Sequence, residues 1–302
     1  KCFNFHVAQR TLQELKNMKN ALNTPQRLEL ALEECALLYT NVHTQTKALS
    51  LGRQVFAISK DNLIISNSSS SEGTKNGFHS KICRLLGTWT GKLRAESIST
   101  VIGKYMDPAV DVSPNGYHKT DAHYALAKYM DSLYSTYYER VNSVEWHEML
   151  LNRNKYREEV NLLENENKKT KLTLKRILDL KQLITQDEEE ANTIKENMKT
   201  WLIRSAEQYM QCLVRKTNAS KSITNDDSTM PAVVRLLGLL LKNPNEVQLH
   251  SNVRGKLEEL NIALFVPFVQ QISSALFEDS HELRRTFSKL LILMLKVSRH
   301  KC

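Results

Sequence analysis

The chain has 302 residues and carries 42 Lys and Arg against 33 Asp and Glu, which gives a formal net charge of +9. Its 9 glycines and 6 prolines fall far below the roughly 36 expected at average usage. This scarcity argues against an all-β protein, a collagen and a nucleotide-binding fold built on glycine-rich loops. With 41% hydrophobic and 25% charged residues, the chain is expected to be globular and to bury a sizeable core.

The excess positive charge is confined to the two ends of the chain. Residues 61–280 hold 28 basic and 28 acidic residues, whereas residues 281–302 hold 6 basic and 1 acidic. A neutral body predicts no direct nucleic-acid contact, and no apolar run approaches the roughly 20 residues needed to span a membrane. Five widely spaced cysteines without a CxxC pair favour a reducing, intracellular compartment.

Helical spacing of apolar residues begins near the start of the chain. Ala8, Leu12, Leu15 and Leu22 fit one helix face, and Thr24-Pro25 is a typical helix start. Two further stripes predict amphipathic helices with short connections. Their apolar positions are Leu28, Ala31, Leu32, Cys35, Leu38 and Val42, then Ala48, Leu51, Val55 and Ile58.

Two polar segments interrupt this pattern. Residues 66–77 (SNSSSSEGTKNG) are predicted to be a serine-rich linker, after which helices resume at Phe78. Residues 107–116, with Pro108, Pro114 and Asn115-Gly116, predict a second break. A tyrosine-rich helix follows, carrying Tyr124, Leu126, Tyr129, Leu133, Tyr137 and Val141.

The region 144–216 is the most highly charged and has almost no glycine or proline. Its balanced charges predict a long, solvated helix pair with a bend near residues 165–167. A polar loop is expected at residues 216–229, and apolar helices at 231–241 and 257–277, the latter interrupted at Pro267. A last helix is predicted at residues 282–297.

Together these patterns predict an all-α fold, a solenoid of stacked antiparallel helix pairs without a strict repeat period. The predicted divisions are helical repeats at 1–65, the serine-rich linker at 66–77, and further helical repeats at 78–302. The chain begins at Lys1 and ends after an apolar stretch. We therefore interpret it as a fragment of a longer protein.

The sequence contains no arrangement of residues that is typical of a catalytic site. Residues 87–93 (GTWTGKL) are one residue short of a phosphate loop and end in Leu, so Lys92 is expected to be a solvated residue at a helix end. His118 and His123 lie five apart without a nearby cysteine, and neither HExxH nor kinase catalytic motifs occur. No catalytic, cofactor-binding or metal-binding residue is predicted.

Three other features have structural interpretations beside functional ones. The tyrosine cluster could stack nucleic-acid bases, but its spacing favours helix packing. It comprises Tyr117, Tyr124, Tyr129, Tyr134, Tyr137 and Tyr138. The C-terminal basic cluster could contact DNA or an acidic partner, or could be the polar face of the last helix. This basic cluster comprises Arg284, Arg285, Lys289, Lys296, Arg299 and Lys301.

Thr44 and Thr185 each precede Gln, and the Thr-Gln dipeptide is common by chance.

An ordered series of segments resembles the FAT region of ATM-like members of the phosphatidylinositol-3-kinase-related protein kinases, roughly over residues 80–290. The segments are 82–89 (ICRLLGTW), 105–112 (YMDPAVDV), 127–132 (AKYMDS), 158–163 (EEVNLL), 205–213 (SAEQYMQCL), 235–243 (RLLGLLLKN) and 264–268 (LFVPF). Residues 1–60 carry no specific string. The serine-rich segment does not match the family pattern, and the likeness weakens after Ala275.

The resemblance implies a tetratricopeptide-like (TPR-like) helical scaffold that wraps a kinase domain. It implies a nuclear serine/threonine kinase, homodimeric and activated by proteins at DNA double-strand breaks, that acts in DNA repair and telomere maintenance. ATP and Mg would bind only in that kinase domain, beyond this chain. Preference for Ser-Gln and Thr-Gln targets makes Thr44 and Thr185 candidate autophosphorylation sites. Two alternatives remain open: an independent helical-repeat adaptor, and a scaffold preceding an inactive kinase domain.

Overall fold

A computed structural model describes residues 24–65, 72–113, 117–165, 170–214 and 229–299. These residues are helical almost throughout, and their sole β interaction is an isolated antiparallel bridge between Val214 and Leu260. The predicted all-α architecture of packed helices is therefore confirmed. None of the helices in the described ranges is long and apolar enough to cross a membrane.

The first layer consists of three helices. They are α1 (Thr24–Thr40), α2 (Gln45–Ile65) and α3 (Glu72–Lys92), with a 3₁₀ turn at Val42–Thr44 between the first two. Most of the stripes predicted in α1 and α2 face inward, and Leu32, Cys35 and Val55 are almost completely buried. Their apolar side chains pack against Ile82 and Leu86 of α3. The prediction is wrong for Val42, which lies in the 3₁₀ turn and is 75% exposed, and for Ile58, which is 48% exposed.

Helix α3 begins within the segment predicted as a linker. Residues 66–71 lie outside the described residues, but residues 72–77 are helical, so the linker prediction is wrong for them. Tertiary packing explains this extension. Gly77 is buried, and the His79 ring lies 3.0 Å from the Ser59 hydroxyl of α2. The predicted helix at residues 8–22 also lies outside the described residues.

A second correction concerns the break predicted to start at residue 107. The short α4 (Ile98–Thr100) continues through a π-helical turn, Val101–Met106, into α5 (Asp107–Asp111). The wider π turn lets the Asp107 N–H reach the carbonyl of Ile102. Pro108 has no N–H to contribute, and it lies in the first turn of α5, where this loss is tolerated. The helix ends only at Asp111, and residues 114–116 are not described.

The centre of the molecule is formed by three long helices. They are α6 (Tyr117–Val141), α7 (Val144–Asn165) and α8 (Lys171–Leu213). Helix α8 has 43 residues and is therefore about 65 Å long at 1.5 Å per residue. Its first part pairs with α7 and its second part packs on α6. The predicted charged helix pair is confirmed, and the bend predicted near residues 165–167 falls mostly outside the described residues.

The C-terminal layer stacks on the second half of α8. It contains α9 (Thr229–Lys242), α10 (Val247–Lys256), α11 (Val269–Ser274) and α12 (His281–Arg299). The predicted interruption at Pro267 takes the form of a 3₁₀ helix, Ile262–Phe268, and a second 3₁₀ turn follows at Ala275–Phe277. These elements bury the largest apolar cluster, which reaches back to Tyr134 and Ala127 of α6. The loop predicted at 216–229 lies outside the described residues, apart from Thr229, which begins α9.

Candidate functional surfaces

A polar cluster around the buried Asp131 joins α6, α8 and α9 by hydrogen bonds. Asp131, on α6, is 6% exposed and accepts a hydrogen bond of 2.8 Å from the Nη2 atom of Arg235 and a second bond from its Nε. The Tyr209 hydroxyl of α8 donates to the same carboxylate at 3.1 Å. Burial and the neighbouring Asp131 carboxylate raise the pKa of Tyr209, so the phenol stays protonated. We call Asp131, Tyr209 and Arg235 the central brace.

A second buried cluster joins α10 to α12. The fully buried His250 ring lies 3.1 Å from the Thr286 hydroxyl through Nδ1, and 3.1 Å from the Asn243 carbonyl through Nε2. Burial lowers the pKa of His250, which favours the neutral ring. The carbonyl then requires a proton on Nε2, which leaves Nδ1 as an acceptor facing the Thr286 hydroxyl. The single proton of that hydroxyl is shared between Nδ1 and the Glu282 carbonyl, which lies 2.9 Å away. Nearby, the Arg254 guanidinium pairs with Glu282 at 2.7 Å.

The cysteines and the remaining histidines of the interior contact other parts of the protein and are not arranged for catalysis. Burial raises the pKa of Cys35, Cys83 and Cys212 to about 12, which disfavours the nucleophilic thiolate. The His123 ring contacts the Gln208 amide oxygen at 2.8 Å. No group of three or more His, Cys, Asp or Glu that could hold a metal occurs among the described residues. The side chain of His118 is not described.

The string that approaches a phosphate loop lies within α3 and is used for packing. A Cβ placed on Gly91 would lie 2.4 Å from the Tyr129 ring, and one on Gly87 would lie 3.0 Å from Met106. Both glycines therefore allow the following elements to approach α3 closely. Lys92 is exposed at the end of this helix, as predicted.

The tyrosine stripe of α6 is a packing surface, as its spacing predicts. Tyr134 is fully buried and donates to the Asn243 side chain at 3.0 Å. Tyr124 packs against Tyr209 with ring centroids 6.1 Å apart. Tyr129 packs in the cluster formed by Val101, Ile102, Met106, Leu126 and Met130. Tyr124 and Tyr129 are partly buried by these contacts, so the stripe serves to pack α6 against its neighbours.

The two Thr-Gln sites differ in accessibility. Thr44 is partly buried, and its hydroxyl donates to the Leu38 carbonyl at 2.5 Å. Thr185 is exposed in the middle of α8, where its hydroxyl donates to the Lys181 carbonyl at 2.9 Å. Both lie in helical backbone. Phosphorylation at either position stays a prediction.

A cleft opens where the π turn faces α6 and α8. Its volume is about 570 Å³, and Ile98, Ile102 and Gly103 line one side while Trp201 and Arg204 line the other. The Trp201 indole N–H is buried and has no acceptor among the described residues. We call this the Trp201 cleft.

The paired helices α7 and α8 expose apolar side chains between charged ones. Arg–Glu pairs such as Arg176–Glu159, at 2.9 Å, join the two helices at the surface. The buried seam beneath them contains Val160, Ile177 and Leu180. Several leucines nevertheless point to solvent, including Leu162 (71% exposed), Leu172 (82%) and Leu178 (67%). This exposed apolar surface marks the pair as a candidate contact region.

The C-terminal basic cluster is only partly a free surface. Lys289 pairs with Glu258 at 3.1 Å and donates to the Arg254 carbonyl at 3.0 Å. Arg285 and Lys296 are exposed on α12, beside the exposed Ile292. The Arg299 side chain and Lys301 lie outside the described residues.

Comparison with known proteins shows what this helical stack is similar to. No family model matches the chain. Over 265 residues it is 26% identical to the serine/threonine-protein kinase ATM of Arabidopsis thaliana. Over this stretch the chain is similar to an ATM kinase. The match covers 83% of the chain but only 6% of that relative, so the catalytic activity of the whole relative is not transferred by it.

The segments that carry the ATM-like resemblance meet in the core of the molecule. Asp131, Tyr209 and Arg235 come from three different segments and form the central brace. Asn243, which ends the segment 235–243, contacts both Tyr134 and His250. Sequence reasoning did not single out these residues. The available signal was a charged side chain inside an apolar helix stripe, since such a charge is buried only with a partner.

Proposed function

We propose that this chain is a non-catalytic helical scaffold, a FAT segment, of an ATM-like serine/threonine protein kinase. The observation that carries the proposal is the ATM-like match along most of the chain, together with a helical stack whose matching segments build its core. In this role the stack positions and regulates a kinase domain of the same polypeptide. Catalysis, ATP and Mg belong to that kinase domain.

The packing suggests how such a scaffold works. The central brace joins residues 131 and 235, which are 104 positions apart in the sequence, through a buried carboxylate. Helix α8 runs from this brace to the far end of the α7–α8 pair, a span of several tens of ångströms at 1.5 Å per residue. A rigid helix that is packed at one end and exposed at the other can transmit a contact at its tip to the core.

The proposed setting follows from the same resemblance. The parent acts in the nucleus, in the response to DNA double-strand breaks and in telomere maintenance. Activator proteins bind the parent at DNA breaks, and the parent forms a homodimer. This segment contacts proteins rather than DNA, because its body carries balanced charge. The exposed leucines of α7 and α8 are the proposed subunit contact.

The first test asks whether the chain is catalytic by itself. The purified 302-residue chain should be helical by circular dichroism and should transfer no phosphate from ATP to a Ser-Gln peptide. The parent transcript should encode a kinase domain with its catalytic and metal-binding aspartates. Robust phosphotransfer by the chain alone would contradict the proposal.

A second test addresses regulation in the full-length parent. Substituting Arg235→Leu should lower phosphorylation of a Ser-Gln peptide, because it loosens the brace under the kinase domain. Arg157→Leu, which removes a surface pair with Glu188, is the matched control and should leave activity unchanged. Equal kinase activity of both variants would show that the central brace does not regulate the kinase domain. A parent transcript that ends without a kinase domain would favour the independent adaptor instead.

A further inference from the structure

Helix α12 turns positive charges of its own to solvent. Residues 281–302 hold 6 basic residues and 1 acidic residue, and that acid, Glu282, is paired with Arg254 of α10 at 2.7 Å. Arg285 and Lys296 are exposed, and neither forms an ion pair within the described ranges. The exposed charges of α7 and α8, in contrast, pair with one another. The two cations of α12 are therefore open to a negatively charged partner.

The same side of α12 carries two exposed apolar side chains. Ile292 is 54% exposed and Leu295 is 62% exposed. Positions 285, 292, 295 and 296 are three, four or seven residues apart, so they share one helix face. From Arg285 to Lys296 this face is about 16 Å long at 1.5 Å per residue. We call Arg285, Ile292, Leu295 and Lys296 the basic face of α12.

The apolar pair in the middle of this face narrows the chemistry of its partner. Protein–DNA interfaces are polar and strongly positive, whereas here charged phosphates would lie on Ile292 and Leu295. A helix that lies on a membrane needs a broad apolar stripe, but the broad stripe of α12, with Leu283, Phe287 and Leu290, is buried in the core. A protein can supply carboxylates and apolar side chains together.

We propose that the basic face of α12 docks an acidic amphipathic helix of a partner protein. Apolar side chains of that helix cover Ile292 and Leu295, because helices lying side by side match side chains three and four residues apart. Its carboxylates pair with Arg285 at one end of the face and with Lys296 at the other. The positive charges favour encounter with acidic partners and oppose basic ones. This surface goes beyond the scaffold function, because it does not depend on whether a kinase domain follows.

The test is a titration of a labelled peptide with the 302-residue chain, followed by fluorescence anisotropy. The probe is fluorescein-EEALAALLAALAEE-amide, in which the leucines share one helix face and glutamates lie at both ends. It should bind saturably, and added salt should weaken binding. Fluorescein-EEASAASSAASAEE-amide, which lacks the leucines, and fluorescein-KKALAALLAALAKK-amide, which has the opposite charge, should each bind at least tenfold more weakly.

Charge variants of the chain locate the peptide. Arg285→Glu combined with Lys296→Glu should weaken binding tenfold or more. Lys47→Glu combined with Lys128→Glu is the matched control, because it makes the same change in net charge at two exposed positions elsewhere, and it should retain the affinity. Equal weakening by both pairs of substitutions would mean that only net charge matters, and would overturn the proposal.

The apolar part of the face has its own variant. Ile292→Ser should weaken binding severalfold, whereas Val42→Ser, at a 75% exposed position of the first layer, should not. Equal binding of the peptides with and without leucine would overturn the proposal, as would binding of a DNA duplex or of phosphatidylserine vesicles in preference to the probe. The full-length parent should bind the probe as well. Loss of binding there would mean that another part of the parent covers this face, and would exclude a partner protein as its occupant.

Discussion

At the scale of single residues, the central brace depends on a buried carboxylate, Asp131, that is paired with the half-exposed side chain of Arg235. An unpaired carboxylate inside a protein is costly, whereas one that accepts several hydrogen bonds is tolerated. Asp131 is 6% exposed and accepts hydrogen bonds from Arg235 and Tyr209. The carboxylate therefore fixes the positions of two side chains that come from two other helices. Surface pairs such as Arg157–Glu188 have the same chemistry but remain in water.

This contrast gives a measurable prediction. In a double-mutant cycle, Asp131→Leu and Arg235→Leu should show a coupling of about 1–3 kcal/mol in the free energy of unfolding. Glu188→Leu and Arg157→Leu should show less than about 1 kcal/mol, since that pair is exposed. Urea denaturation followed by circular dichroism measures both cycles. Equal couplings would mean that burial of Asp131 does not strengthen the pair.

Buried histidines make the stability depend on pH. Burial lowers the pKa of His79, His123 and His250 below the usual value of 6.5. The unfolded chain therefore binds more protons below that value, and the native state loses stability as the pH falls through it. Above that value the contribution is fully present.

We therefore expect the free energy of unfolding to decrease from about pH 8 to about pH 5.5. The slope should be smaller in His250→Gln, because one of the titrating groups is removed. A slope in His250→Gln identical to that of the unmodified chain would show that His250 does not contribute.

At the scale of elements, the two parts of α8 differ in how much of their surface is buried by other helices. Its second part is buried by α6, α9 and α10, whereas its first part contacts mainly α7 through a narrow apolar seam. Helix propensity alone does not keep such a segment helical and docked. The seam residue Leu180 is fully buried, while Leu178, two positions earlier, is 67% exposed.

The seam predicts different effects for these two leucines. Leu180→Ala should destabilise the α7–α8 pair by about 2–4 kcal/mol, because it leaves a cavity. Leu178→Ala should change stability by less than about 0.5 kcal/mol. Amide hydrogen exchange should show faster exchange in α7 and in the first part of α8 only for Leu180→Ala, with α9 to α12 unaffected. Uniform loss of protection would mean that the pair and the core unfold together.

At the scale of the whole molecule, the α7–α8 pair exposes a group of leucines away from the central brace, and the C-terminal layer exposes a second apolar set that includes Phe277 and Leu295. Stacked helical repeats bury their faces against neighbours, and faces left open favour association. The exposed leucines lie among alternating charges on both helices, a pattern that suits a second helix pair of the same kind. Self-association is therefore expected to proceed through this pair.

Sedimentation velocity over a range of concentrations tests this expectation. The chain should self-associate, and Leu172→Ser combined with Leu178→Ser should weaken association by tenfold or more, since each loses roughly 1 kcal/mol or more of apolar burial. Phe277→Ser is the control, because Phe277 is 90% exposed but lies in the C-terminal layer. A monomeric chain at all concentrations, or equal weakening by the control, would exclude the pair as the contact.

The amino-acid sequence by itself determined which parts of the chain are helical and which helix faces are apolar. These are local properties, because 3.6-residue periodicity and scarce glycine and proline act within one turn or two. The stripes of α1, α2 and α6, the charged pair and the interruption at Pro267 were predictable for that reason. The ATM-like resemblance was also carried by short, ordered strings.

Only the tertiary structure decided how those helix faces meet. The contact between Asp131 and Arg235 joins positions that are 104 residues apart. The local sequence around either residue does not predict the other as its partner. Residues 72–77 read as a linker, yet they extend α3 because the adjoining residues pack against α2. The Trp201 cleft likewise exists because a π turn, α6 and α8 converge, leaving a donor enclosed without a partner. Long-range packing selects among the faces that local periodicity provides.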